Sequence, residues 1–228
     1  MKTIIEIGAN KGQDSISFLK EKDTFLHCIE PVPQLFEELK KNFEEYSNVK
    51  FHQIAIDNFN GISKFGLSAS YNGPGTESSY ACSSLYDFSN NIKETWGNRS
   101  DFEMQSYIDV TVMTLASFVE KENISQIDYL HCDAQSSDLN ILKSLGNKID
   151  ILIEGRCEAS NTKKLYKNVD NSLHSILLFL EKNNFEVFEL RDDTGKTIKE
   201  LIFSLDDEGN KYLPHNTEEI DVFFRKKT

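Results

Sequence analysis

The stretch Glu6-Ile7-Gly8-Ala9-Asn10-Lys11-Gly12 decides the fold. It follows a short apolar run, Thr3 to Ile7, and precedes a segment, Lys11 to Glu21, with Ile16 and Leu19 at helical spacing. A strand that breaks at a glycine and re-enters as a helix brings backbone N–H groups close to a ligand at the positive end of that helix. The dinucleotide fingerprint G-x-G-x-x-G asks for glycine at 8, 10 and 13, but Asn10 and Gln13 stand at the last two. The turn therefore departs from the dinucleotide fingerprint at two of its three glycines.

Working outward, strand and helix signals alternate. Phe25 to Ile29 and Val49 to Ile56 read as strands. Val32 to Tyr46 carries Leu35, Phe36, Leu39 and Phe43 on one helical face. After a long middle stretch the alternation resumes. Strands are expected at Tyr107 to Met113, Ile127 to Cys132 and Ile149 to Ile153, and helices over Leu115 to Glu122, Asp138 to Leu145 and Val169 to Asn183. Late strands over Phe185 to Leu190 and Ile220 to Arg225 close the pattern. This order predicts a doubly wound, Rossmann-like α/β domain with a mostly parallel central sheet and a late antiparallel strand. One domain is expected over 1–228, carrying a long loop insertion at about 66–106. Its first part, Gly66 to Ser84, holds Gly73-Pro74-Gly75 and is read as a binding loop that orders around ligand, with Leu85 to Trp96 a short helix. Tyr80, Ser83 and Ser84 are candidate substrate contacts there, although solvated side chains are the plainer reading.

Composition narrows the partners. The chain has 228 residues, 39% hydrophobic, with a net charge of −12. Such an acidic surface repels phosphate backbones, so nucleic acid is not expected as a partner. No run approaches the ~18 apolar residues of a membrane helix, and the opening MKTIIEI reads as a strand, not a signal peptide. A cytoplasmic protein with no membrane partner is expected. Cys28, Cys82, Cys132 and Cys157 form no C-x-x-C pair, and the five histidines are scattered. No zinc site is expected. A magnesium site from Asp133, Asp138 and Glu154 has no diagnostic spacing and is set aside, leaving no metal ligands assigned.

Glu30 ends the second strand, just before Pro31. A carboxylate at this place accepts hydrogen bonds from ribose hydroxyls in dinucleotide folds. Glycine turn, strand, acid and helix thus occur in the order that a nucleoside-binding domain requires.

The chain resembles the FkbM-type methyltransferases, which belong to the class I group using S-adenosylmethionine. The matching stretches are IIEIGANKGQDS (4–15), CIEPVPQLFEELKKNF (28–43), VKFHQIAIDNFNG (49–61), VTVMTLASFV (110–119) and IDYLHCDAQSSDLNILKSLG (127–146). The resemblance implies methyl transfer from S-adenosylmethionine to oxygen, typically a hydroxyl on a sugar, glycan or small natural product. It places Glu6, Gly8, Asn10 and Gly12 at the methionine end of the cofactor and Ser15 near its carboxylate. Glu30 is placed on the ribose, and Ala55, Ile56 and Asp57 beside the adenine. One stretch departs from the pattern. Where the family commonly has an acid and a glycine, this chain has Gln135 and Ser136, while Asp133 is kept. Asp133 is the first candidate for orienting or deprotonating the acceptor, with a cofactor-shell role as the alternative. Gln135 and Glu154 are expected to share the acceptor site. The altered stretch leaves a noncatalytic nucleoside-binding module as a rival reading. A nicotinamide-dependent oxidoreductase is the other, and the missing glycines oppose it.

Overall fold

The computed structural model describes residues 1–70, 80–198, 203–214 and 217–227. Gly73-Pro74-Gly75 lies outside them. The elements in chain order are β1 (Lys2–Ile7), α1 (Ser15–Leu19), β2 (Thr24–Ile29), α2 (Pro33–Asn42), β3 (Val49–His52), β4 (Ala55–Ile56) and β5 (Gly61–Ser68). Then come α3 (Ile92–Trp96), β6 (Met104–Met113), α4 (Leu115–Lys121), β7 (Tyr129–Cys132), α5 (Asp138–Lys143), a 3-10 helix (Gly146–Ile151) and β8 (Glu154–Ser160). The last are α6 (Leu173–Lys182), β9 (Phe185–Asp192), β10 (Ser204–Leu205), β11 (Lys211–Tyr212) and β12 (Glu219–Lys226).

Seven strands form the central sheet in the order β3-β2-β1-β7-β8-β12-β9. Those from β3 to β8 run parallel, and β12 runs antiparallel to both β8 and β9. The expected mostly parallel sheet with a late antiparallel strand is the one observed. Its order reverses at β1, with β2 on one side and β7 on the other. A crevice opens at such a switch point, outside the strand C-termini.

Alternation along β1 sends side chains to both faces. Ile4 packs with Leu26, Cys28, Leu39 and Phe43, which brings α2 onto one face. Ile5 and Ile7 join Leu115, Phe118, Leu139, Ile176 and Leu180, the buried stripes of α4, α5 and α6, on the other. Local signals set the helix starts. Pro33 occupies the first turn of α2, where its missing N–H costs nothing. The hydroxyls of Thr114 and Ser172 accept from the backbone N–H of Ser117 and Ser175.

Three expectations are corrected. The apolar run Val49 to Ile56 is divided: Val49–His52 joins the central sheet, whereas Ala55–Ile56 pairs with β6 in a separate three-stranded sheet, β4-β6-β5. The proposed loop at 66–106 begins and ends as strand, because Gly66 to Ser68 pair with Met104 to Tyr107. Ser83 and Ser84 are buried, not solvated. Ser84 exchanges backbone hydrogen bonds with Gly66, and the Ser83 hydroxyl accepts from Ser68 N. Third, Ile149 to Ile151 lie in the 3-10 helix, and the strand starts later, at Glu154. β8 reads EGRCEAS, with Gly155, Cys157 and Ala159 buried between half-buried polar residues. Small and charged residues hide this strand from a search for apolar runs.

Candidate functional site

A cavity of about 340 Å³ opens at the C-terminal ends of β1, β2 and β7. That is within the ~300–1,000 Å³ typical of small-molecule sites. One end is the glycine turn, from Glu6 to Asn10 with Gln13 and Asp14. Glu30 to Val32 and Leu35 form the middle, and Ile54, Ala55, Ile56 and Phe65 make an apolar slot. Tyr80, Ala81, Ser83 and Leu85 close one side, and Asp133, Ala134, Gln135 and Ser137 the other.

The turn is built for close approach. Gly8 has φ +83°, and a Cβ there would fall 1.8 Å from the carbonyl oxygen of Asp133. Only glycine lets β1 turn against the end of β7. Asn10 also lies in the left-handed region, at φ +49°. Its backbone N–H donates to Glu30 Oε2 at 2.9 Å, and Val32 N–H donates to Oε1 at 2.8 Å. Each carboxylate oxygen keeps a lone pair for a further donor. Glu30 is 4% exposed. Burial pushes its carboxyl up to about 7, and the two backbone donors only partly offset this.

Not every expected cofactor residue reaches the cavity. Gly12 and Ser15 do not line it. A Cβ on Gly12 would strike the Phe43 ring at 2.0 Å, so this glycine serves the packing of α2. Ser15 is fully buried and donates to Glu6 Oε2. Asp57 is also fully buried. It accepts from Tyr86 Oη at 2.9 Å and Asn140 Nδ2 at 3.2 Å, tying the segment after β5 to α5.

The acceptor-side candidates separate as well. Asp133 and Gln135 both line the cavity, and Gln135 Nε2 donates to Asp133 Oδ1 at 3.2 Å. Tyr166 Oη lies 2.9 Å from Gln135 Oε1 and 2.8 Å from the Cys82 carbonyl, and its single proton serves one of them at a time. Glu154 is not in this group. The parallel register pairs Leu130 with Gly155 and Cys132 with Cys157, which puts Glu154 level with Tyr129 and at the far end of the sheet. One step beyond Cys132 and Cys157, the residue on β8 level with Asp133 is Glu158. Burial drives the Glu158 carboxyl well up, and the charges of Glu219 and Asp133 add to this. Glu219, on β12, is pushed up to about 7, first by burial and then by Asp133. Asp138 is fully buried and accepts from Glu158 N at 3.1 Å. Glu154 lies four residues from Glu158 along β8, roughly 13 Å at ~3.3 Å per residue. Asp133, Asp138 and Glu154 therefore do not gather around one ion.

Sequence reading missed Gln13, Asp14, Leu35 and Phe65 on the cavity wall, and Glu158, Glu219 and Tyr166 beside it. Phe65, Tyr166 and Glu219 come from distant parts of the chain, and no local spacing announces them.

The link after β7 is strained. Gln135 and Ser136 have φ +48° and +74°. A β-carbon in this region costs about 1–2 kcal/mol, whereas glycine also gains unfolded-state freedom worth ~0.4–1 kcal/mol. Ser136→Gly is therefore expected to stabilise the protein by about 0.5–1 kcal/mol, raising Tm by ~1–4 °C. A thermal melt checks this, and a lower Tm would show that the Ser136 side chain makes a contact worth more than the strain.

The sequence model of one protein family, described as the methyltransferase FkbM domain, matches residues 6–187. No curated protein matches the chain. Among solved structures, an rRNA methylase from Streptococcus thermophilus superposes with a TM-score of 0.49 at 8% identity, over 100% of this chain and 87% of that one. TrmK from M. capricolum, in complex with S-adenosyl-homocysteine, gives 0.48 at 13% identity, over 100% and 63%. A SAM-dependent methyltransferase from Aquifex aeolicus gives 0.43 at 10% identity, over 98% and 81%. All three TM-scores lie below 0.5.

Proposed function

Because the chain belongs to the FkbM methyltransferase family, whose methyl donor is S-adenosylmethionine, we propose that it methylates a hydroxyl oxygen on a sugar, glycan or small natural product. The observation that supports this reading best is one continuous cavity. It has the glycine turn and Glu30 at one end and Asp133 with Gln135 at the other.

The residues fit the cofactor in three parts. The turn at Gly8 to Asn10 and the carboxylates of Glu6 and Asp14 suit the methionine end, which carries an ammonium group. Glu30 suits the two ribose hydroxyls, since both its oxygens can accept one more hydrogen bond. The slot of Ile54, Ala55, Ile56 and Phe65 suits a flat aromatic base. When bound, S-adenosylmethionine supplies an electrophilic methyl group on a sulfonium. The chain's own work is to exclude water, align the acceptor oxygen and manage its proton. Asp133 is the group we assign to that proton. Gln135 orients it by donating to Oδ1, and Tyr166 is placed to fix the Gln135 amide.

A neutral polyhydroxyl acceptor suits the acidic surroundings of Glu158 and Glu219, and a nucleic acid does not. Among the described residues no helix is long and apolar enough to cross a membrane. All four cysteines are free and buried, in keeping with the reducing cytoplasm that we propose as its location.

The test is titration with S-adenosylmethionine, followed by transfer of a labelled methyl group to a panel of sugars, glycans and phenols. Cofactor binding with transfer to a hydroxyl is the expected result. Transfer to nitrogen alone would overturn the oxygen assignment. Binding with no transfer to any acceptor class would favour the noncatalytic module.

A further inference from the structure

His131 sits on β7 and is 3% exposed, yet neither of its ring nitrogens has a hydrogen-bond partner. A buried imidazole left this way forfeits the hydrogen bonds it would make to water. Its surroundings are acidic. Glu6 Oε1 lies 3.5 Å from Nδ1, and Asp14 Oδ2 lies 3.8 Å from Nε2. One ring nitrogen and one oxygen from each carboxylate can be chosen so that all three atoms lie within 4.8 Å of one another.

We propose that Glu6, Asp14 and His131 form a binding site for a first-row divalent metal ion at the wall of the cofactor cavity. One imidazole with two carboxylates is a donor set for Zn²⁺, Co²⁺, Mn²⁺ or Fe²⁺, whereas Mg²⁺ prefers oxygen alone. Two ligands about 2.0–2.2 Å from one ion lie ~3.3–3.8 Å apart at angles of about 110–135°; the Glu6 Oε1–Nδ1 separation meets this, whereas the Asp14 contact is to the other ring nitrogen. The ion takes one ring nitrogen. Glu6 is held in place by the Ser15 hydroxyl, so the adjustment falls to Asp14. The Asp14 side chain is 53% exposed at the start of α1 and is free to change rotamer.

The charge balance supports a cation. Among the described residues no lysine or arginine comes within salt-bridge distance of Glu6 or Asp14. Arg156 is the nearby base, and it already faces Asp221 at 3.1 Å. The charges of Asp14 and Asp133 are also felt at Arg156. Glu6, Asp14, Asp133 and Asp221 thus outweigh it. The second histidine–carboxylate grouping differs on each point. His27 Nδ1 and His52 Nε2 hydrogen-bond to one another at 3.0 Å, and Lys50 neutralises Glu122. No atom of that group is among the fully buried polar atoms without a hydrogen bond in the described residues. A metal at the His131 site would tie the start of α1 to β7 and compete with the cofactor ammonium for the Glu6 and Asp14 carboxylates.

The experiment uses the full chain, stripped with a chelator and kept free of cofactor and acceptor. Zn²⁺ and Co²⁺ are titrated, with Mg²⁺ as the comparison. Zn²⁺ is expected to raise Tm at micromolar concentration. Co²⁺ should give a visible ligand-field spectrum, and Mg²⁺ should do little below millimolar. Asp14→Asn, a surface change that leaves the core intact, should weaken Co²⁺ binding by about tenfold or more. His131→Gln should abolish the cobalt spectrum. If that variant fails to fold, Asp14→Asn alone decides. The site is overturned if neither metal shifts Tm, or if binding is untouched by Asp14→Asn, which would put the ion elsewhere. These readouts need no methyl transfer, so their failure leaves the proposed reaction standing.

Discussion

Glu30→Gln is expected to weaken S-adenosylmethionine binding by about 1.5–3 kcal/mol, or roughly 10- to 150-fold, the range for hydrogen bonds to a charged group. The substitution keeps the shape and one acceptor oxygen. It removes the charge, and it turns an acceptor towards Asn10 N–H or Val32 N–H into a donor. The same residue predicts a pH dependence in the unmodified protein. Burial raises the Glu30 carboxyl from 4.5 to about 7 in the folded chain without cofactor. Between those values the unfolded chain has lost this proton while the folded chain still holds it. Stability from this group is therefore fully present below about pH 4.5, falls as pH rises through 7, and is flat above. The total is ~3 kcal/mol by proton linkage. Ribose hydroxyls prefer the ionised form, so cofactor affinity should rise with pH up to about 7 and then level off. Calorimetric titration between pH 5.5 and 8.5 measures this. Glu30→Gln should show weak binding that is flat over the same range. A wild-type affinity independent of pH would remove Glu30 from the binding site.

The contrast between Glu30 and Glu158 explains what the sequence discloses. Glu30 lies on a short local path in which each step has its own backbone requirement. A strand must end, Gly8 must adopt a positive φ against Asp133, and Pro31 must stop the next strand. Such requirements are written residue by residue and can be read without the fold. The helices over Pro33–Asn42 and Leu173–Lys182 are legible for the same reason, since the period of their buried residues is local. β8 is different. Its residues, EGRCEAS, have little preference for strand, and two neighbouring strands decide the matter by supplying hydrogen bonds on both edges. The apolar Ile149 to Ile153 predicts the strand instead, which puts Glu154 at the wrong end of the sheet and hides Glu158. Gly12 shows the reverse error. Its glycine was legible, but the partner that demands it is the ring of Phe43, on a separate helix. The grouping of Glu6, Asp14 and His131 belongs with β8, because only the pairing of β1 with β7 brings it together.

Asp133→Asn is expected to lower single-turnover methyl transfer by about 10²-fold or more, the usual scale for losing a general base, with little change in cofactor affinity. The substitution is conservative for the fold. Asp133 holds its place through its backbone, donating from N–H to the Ile7 carbonyl at 3.0 Å and packing its own carbonyl over Gly8. Asparagine keeps those contacts and removes only the negative charge and the basic oxygen. Its neighbour makes the argument sharper. Because Gln135 donates to Asp133 Oδ1 at 3.2 Å, Gln135→Glu would replace a donor with a second carboxylate. Two like charges at that distance disfavour double ionisation, so less of the pair is free base at a given pH. Gln135→Glu should therefore lower turnover at pH 7 and move the optimum to higher pH. Turnover of both variants, measured against pH beside a cofactor titration, separates the roles. Full turnover in Asp133→Asn would mean that alignment alone carries the rate. Lost cofactor binding in that variant would move Asp133 from the acceptor to the cofactor.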